Sequence, residues 1–139
     1  MKRVRFSKLL KEPLSLFSIF MYGVMIHSLI VGLLLIFSPS LLFEFFGYKR
    51  ISEHFFHVQG GVFHIVMSIG YMIAAWKPNK YEGVIFLSIA AKFTAVLFLI
   101  IYSFVIDFIS IVFLSGIGDL IMGIFILILY KRIKKSEGG

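Results

Sequence analysis

Four uninterrupted apolar stretches, at about 14–37, 55–76, 83–105 and 108–130, fix what this chain can become. Each supplies the ~20 residues that a helix needs to cross a hydrocarbon core. Lipid offers no hydrogen bond to an unpaired backbone, so such stretches form helices rather than open sheet or loops. The expected fold is all-α: one integral membrane domain over residues 1–139, a bundle of four transmembrane helices. A hydrophobic content of 60% and a mean hydropathy of +1.00 place the chain in that class. The first stretch follows Lys2, Arg3, Arg5, Lys8 and Lys11, as a signal peptide would. Its length and the lack of a small-residue cleavage site instead predict a retained first helix.

Charge placement gives an orientation. Of 14 Lys and Arg, eleven fall on one side of the predicted membrane: the five N-terminal ones, Lys77 and Lys80, and Lys131, Arg132, Lys134 and Lys135. Only Lys49 and Arg50 fall on the other. The positive-inside rule then puts both termini in the cytoplasm, and a bacterial inner membrane is the expected location. The formal net charge of +7 is thereby explained by contact with anionic lipid and not by nucleic acid. With no cysteine, disulfides, Cys-ligated metal and thiol redox chemistry are excluded.

Between the first two stretches, Ser38-Pro39 suits an N-cap with Pro at the first helical position, opening a short helix over 40–46 that Gly47 ends. Its Leu and Phe residues around Glu44 fit a helix lying in the outer interface, a lid over the bundle. Trp76, Tyr81 and Tyr130 mark the opposite interface.

Lys92 and Asp119 lie near the middles of the third and fourth stretches, and the chain reverses near Asp107 with hardly a turn. Positions mirrored about that reversal share a depth, so the two charges can pair. An unpaired Lys or Asp at a helix centre costs about 2.5–3.5 kcal/mol on insertion scales, and intramembrane charges commonly mark functional sites. Two readings of the pair stand side by side: a neutral brace that fixes helix register, and a proton relay or counter-charge for a ligand.

The second stretch carries a polar stripe of Glu53, His57, Gly61, His64, Ser68, Tyr71 and Ala75 at steps of three or four, a face expected to look inward and line a cavity. At ~1.5 Å per residue, His27, His64, Asp119 and Lys92 fall ~13–19 Å from the outer ends, so every helix brings one ionisable group to a common layer. Lys92, Asp119, His64, His27, Ser68 and Tyr71 form the expected pocket, with His57, Gln59 and Glu53 at its entrance. His27 and His64 at matching depth could also be axial ligands of a haem or ligands of a metal. Histidines hydrogen-bonded to neighbouring Ser or carbonyl groups are the plainer account, and no metal site is expected. Gly60 and Gly61 favour close helix packing.

These motifs, from Pro39 to Phe46-Gly47, Gln59-Gly60-Gly61, Gly70-Tyr71-Met72-Ile73-Ala74-Ala75 with Pro78, then Lys92 and Gly118-Asp119, make the chain resemble the DoxX-like group of small bacterial four-helix membrane proteins over about 20–130. The resemblance implies a four-helix bundle with cytoplasmic termini and, for some relatives, a link to quinone-coupled oxidation of sulfur compounds or to redox stress. No catalytic signature of that activity is evident in this sequence. Three functional expectations follow. The first is a binding protein for a small hydrophobic or quinone-like ligand, or an accessory subunit of a membrane redox complex. The second is a small homo-oligomeric proton-coupled transporter or channel. The third is an enzyme using His27 and His64 with haem or metal.

Overall fold

Each apolar stretch becomes one helix in the computed structural model, which describes residues 12–48 and 55–137. Helix α1 spans Pro13–Phe37, α2 Ser40–Phe45, α3 Phe55–Trp76, α4 Glu82–Val105 and α5 Ser110–Glu137. All but α2 are long and apolar enough to cross a membrane, so the chain is a multi-pass membrane protein by architecture. The expected boundaries hold to within two residues except at the last. There α5 starts at Ser110 and continues past Tyr130 through Lys131, Arg132, Lys134 and Lys135. Cations in a last helical turn are favoured by the dipole.

Pro13 opens α1 at a first-turn position where its missing N–H costs nothing. The short helix differs in its start from the sequence expectation. Ser38 closes α1, donating its backbone N–H to Leu34, while Pro39 in extended conformation caps α2. Gly47 ends α2 with φ +91°, a left-handed conformation that favours glycine. Around it, the Gly47 and Tyr48 N–H groups donate to Glu44 and Phe43 carbonyls.

The long helices form a ring of two antiparallel hairpins, α1 with α3 and α4 with α5, closed by contacts of α1 with α5 and of α3 with α4. Buried positions on α1 are Phe17, Met21, Val24, Ser28 and Gly32, and on α5 they include Val112, Gly116, Asp119, Gly123, Ile126 and Ile133. Steps of three and four keep one narrow stripe facing the partner helices. Elsewhere the surface is apolar: Ile26, Phe63, Phe86, Phe98, Phe104 and Phe125 are all exposed, as side chains meant for lipid are.

The first hairpin is the tighter. A Cβ on Gly61 would lie 2.7 Å from the Gly32 carbonyl oxygen, and one on Gly32 would lie 2.8 Å from that of Gly61. Only paired glycines let these backbones approach so closely.

The core is not centred. Phe17, Met21, Val24, Tyr71, Ala74, Ala75, Ile85, Ile126, Leu129 and Ile133 pack together, all in the half of the bundle that holds the α3–α4 turn. At that end Tyr130 Oη donates to Glu82 at 3.0 Å, and Lys134 makes an ion pair with the same carboxylate, tying α4 to α5. Lys77 lies 4.4 Å from the ring centroid of Trp76 and Lys80 5.4 Å from that of Tyr81. We call this the packed end and the other, beneath α2, the lid end.

Candidate functional site

Toward the lid end the hairpins separate and leave a cavity with two lobes. One, of about 550 Å³, opens between α3 and α4 past Phe56, Phe63 and Phe98. The other, of about 510 Å³, opens between α1 and α5 past His27, Leu34 and Leu114, roofed by Leu42, Phe43 and Phe46 of α2. Leu35, Tyr48, His64, Leu99, Val112 and Asp119 line both. The cavity thus crosses the bundle sideways, and both mouths face the apolar surface that a bilayer would cover.

At its floor stands Asp119, one half of a buried ion pair. Lys92 Nζ donates to Asp119 Oδ1 at 2.5 Å, with the side chains 4% and 12% exposed. Gly123 makes room: a Cβ there would stand 3.3 Å from Lys92 Cβ. Gly116 does the same two turns higher, against Leu99. The ammonium also lies 5.5 Å from the centroid of the Tyr71 ring, a cation–π contact that compensates further for the lost water.

His64 stands on the wall above this floor. Ser28 Oγ donates to the His64 carbonyl at 3.0 Å and lies 3.2 Å from His64 Nδ1. A hydroxyl has one hydrogen, so Ser28 donates either to the carbonyl or to Nδ1 according to the imidazole tautomer. With the proton on Nδ1 the ring donates to Ser28 Oγ, and with the proton on Nε2 it accepts from it. Nε2 makes no further hydrogen bond among the described residues.

At the lid end, His57 meets Phe43 and Tyr48 edge-on, with ring centroids 4.7 Å and 5.7 Å apart. This aromatic group holds α2 against α3. Tyr48 and Tyr102 share the first lobe, and burial pushes the Tyr48 phenol above its usual range, with Tyr102 adding to the rise.

Of the residues singled out from the sequence, Lys92, Asp119, His64 and His57 come together around the cavity. His27 lies at the mouth of the second lobe on an exposed face of α1. Ser68 and Tyr71 do not line the cavity: Ser68 Oγ donates to its own helix at the Ile65 carbonyl, 2.7 Å away, and Tyr71 sits in the packed core. Gln59 is exposed and lines neither lobe. Glu53 lies outside the described residues, as do the five N-terminal cations and the Lys49-Arg50 pair. Of the described α3 stripe, His57 and His64 face the cavity, Gly61 meets α1, and below His64 the stripe packs. Gly60 faces the cavity, while Gly61 faces α1.

Ser28 is the functional candidate that the sequence reading overlooks. Its signal is the four-residue step to Gly32, which puts it on the same close-packed face of α1. Among the described residues no group of three His, Asp, Glu or Cys is placed to hold a metal ion.

A cysteine at Gly60 is expected to react with small thiol reagents much faster than one at Ser68 or Ala74 in membrane-embedded protein. Equal protection at all three would show that the cavity is closed to solvent and small reagents.

Fold and site define a class: a four-helix multi-pass membrane protein with a laterally open apolar cavity over a buried ion pair. No protein-family model, curated protein or solved structure matches the chain.

Proposed function

We propose that this protein binds a small hydrophobic or quinone-like molecule taken from the bilayer, either for its own purpose or as an accessory subunit of a membrane redox system. One observation carries the reading: the cavity opens sideways at two lipid-facing seams and stops at the Lys92–Asp119 floor. Largely apolar walls with a few convergent polar groups are the usual make-up of a small-molecule pocket. Below the floor, Phe17, Met21, Tyr71, Ile85 and Ile126 fill the bundle axis, which favours a pocket over a conduit. The charge asymmetry supports an orientation with the packed end in the cytoplasm of a bacterial cell and the lid outside. The resemblance to DoxX-like proteins is compatible with a redox partner.

Native mass spectrometry of gently extracted protein should reveal a bound small molecule, and a labelled lipophile should bind saturably. Ala95→Phe and Gly118→Phe, which fill one lobe each, should abolish that binding without unfolding the protein. Liposomes holding the protein should show no uptake driven by a pH gradient. Vectorial flux would replace this reading with a proton-coupled transporter, and a Soret band or stoichiometric metal would replace it with an enzyme.

A further inference from the structure

The two lobes are one passage. Leu35 of α1, His64 of α3, Leu99 of α4, Val112 and Asp119 of α5, and Tyr48 beyond α2 border both, so every long helix contributes to the junction between them. The lobes open at opposite seams of the ring, one between α3 and α4 and the other between α1 and α5. Exposed apolar side chains stand at each: Phe56, Phe63 and Phe98 at the first, Leu34 and Leu114 at the second. At ~1.5 Å per residue, Phe63 and Phe98 lie about 12 Å and 10 Å inside the lid-end tips of α3 and α4, and Leu34 and Leu114 about 5 Å and 6 Å inside those of α1 and α5. Both mouths therefore lie in the same half of the bundle.

Hydrogen bonding does not choose among neutral guests. The Tyr48 and Tyr102 hydroxyls can donate or accept, the His27, His57 and His64 imidazoles do either according to tautomer, and Asp119 accepts. Both signs are present in each lobe. Shape is the more selective property. Either lobe, at about 550 and 510 Å³, would hold a compact small molecule by itself. Such a guest leaves the lining of the other lobe without contacts, and a lining without neighbours forfeits its dispersion energy. A flexible chain can lie in both lobes at once, passing the junction between Leu35, Leu99 and Val112.

We infer that the cavity holds one unbranched single-chain lipophile, threaded across the bundle so that one end leaves at the α3–α4 seam and the other at the α1–α5 seam. The inference rests on the pocket reading above and names the shape of its guest. The path runs the width of a hairpin, two helices of ~10–12 Å each, so the chain must span roughly 20 Å. Because each mouth lies inside the helix tips, an end emerging there stays in hydrocarbon. That suits an apolar or neutral end and opposes an ionised headgroup, whose burial away from water is costly.

The test uses octadecane carrying a diazirine at each end, photolysed with the full chain in nanodiscs, beside the equivalent octane probe, which is too short to cross. The long probe should yield crosslinked peptide pairs that join the Phe63 or Phe98 segment to the Leu34 or Leu114 segment, and excess unlabelled octadecane should remove them. The short probe should label each seam and join none. This comparison depends on no variant folding. Ala95→Phe, which fills the first lobe, should abolish long-probe labelling at the far seam as well as its own, while short-probe labelling at Leu34 and Leu114 persists; Gly118→Phe should do the reciprocal. Saturable long-probe labelling confined to one seam would overturn threading and leave the pocket standing, as would pairs that survive both substitutions. Failure of both probes to label either seam saturably would remove the pocket reading as well.

Discussion

Lys92→Met is expected to destabilise the bundle by about 3–5 kcal/mol in detergent unfolding, and Asp119→Leu by a similar amount, whereas the double variant should be near neutral. The asymmetry follows from burial. With 4% and 12% of their side chains exposed, the two groups cannot exchange their partner for water, so each single change strands a charge. Removing both strands nothing and leaves apolar side chains in an apolar layer. Gly123 already accommodates Lys92 Cβ, so a Met in that groove meets no new backbone. Two outcomes then separate the roles left open by the sequence. A stable double variant that keeps the proposed lipophile binding assigns the pair to scaffold; a stable variant that loses it assigns Asp119 to the site. Additive losses with no rescue would show that the two residues do not interact.

Gly61→Ala should cost about 1–3 kcal/mol, the usual penalty for forcing a methyl group into a filled interior. Its Cβ would stand 2.6 Å from Ile36 Cγ1 and 2.7 Å from the Gly32 carbonyl oxygen. A side chain can turn aside, but a backbone carbonyl within a helix cannot, so α1 and α3 must separate. Because Ser28 and His64 bridge the same two helices close by, the separation should also lengthen their hydrogen bonds and weaken binding. Gly23→Ala is the control: nothing lies within 4 Å of that Cβ, and alanine's better helix propensity should make the change neutral or slightly stabilising. Equal effects at the two positions would show that the close approach is not what holds the first hairpin.

The helices and the ion pair are legible in the sequence because both depend on short-range rules. Length and apolarity define a spanning helix, and a tight reversal near Asp107 forces positions on either side to equal depth, which brings Lys92 to Asp119. The division of the α3 stripe is not legible. Ser68 and Tyr71 share a helical face with His57 and His64, yet whether that face meets a cavity or another helix depends on where the two hairpins part, a property of all four helices together. His27 shows the same limit from the other side. Depth places it level with His64, but rotation of α1 is set by Gly32 meeting Gly61, and this turns Ser28 inward and leaves His27 at the edge. Ser28, with no charge and a common side chain, gains its importance only from the partner across the groove.

The polar bonds of the interior also determine how the molecule can give way. Lys92 and Asp119 belong to one hairpin, as do Glu82, Tyr130 and Lys134; Ser28 and His64, like His57 and Tyr48, belong to the other half. Each arm is stapled within itself, and the arms are joined at the packed end by apolar side chains. The bundle is therefore built like a pair of tongs, with its pivot among Phe17, Tyr71 and Ile126 and its tips at α2 and the α4–α5 turn. Over a lever of ~24 Å, a rotation of about 5° moves the tips by roughly 2 Å, since a helix rises ~1.5 Å per residue and about sixteen residues separate Tyr71 from Phe55 and Ile126 from Ser110. Opening of this kind would break none of those bonds.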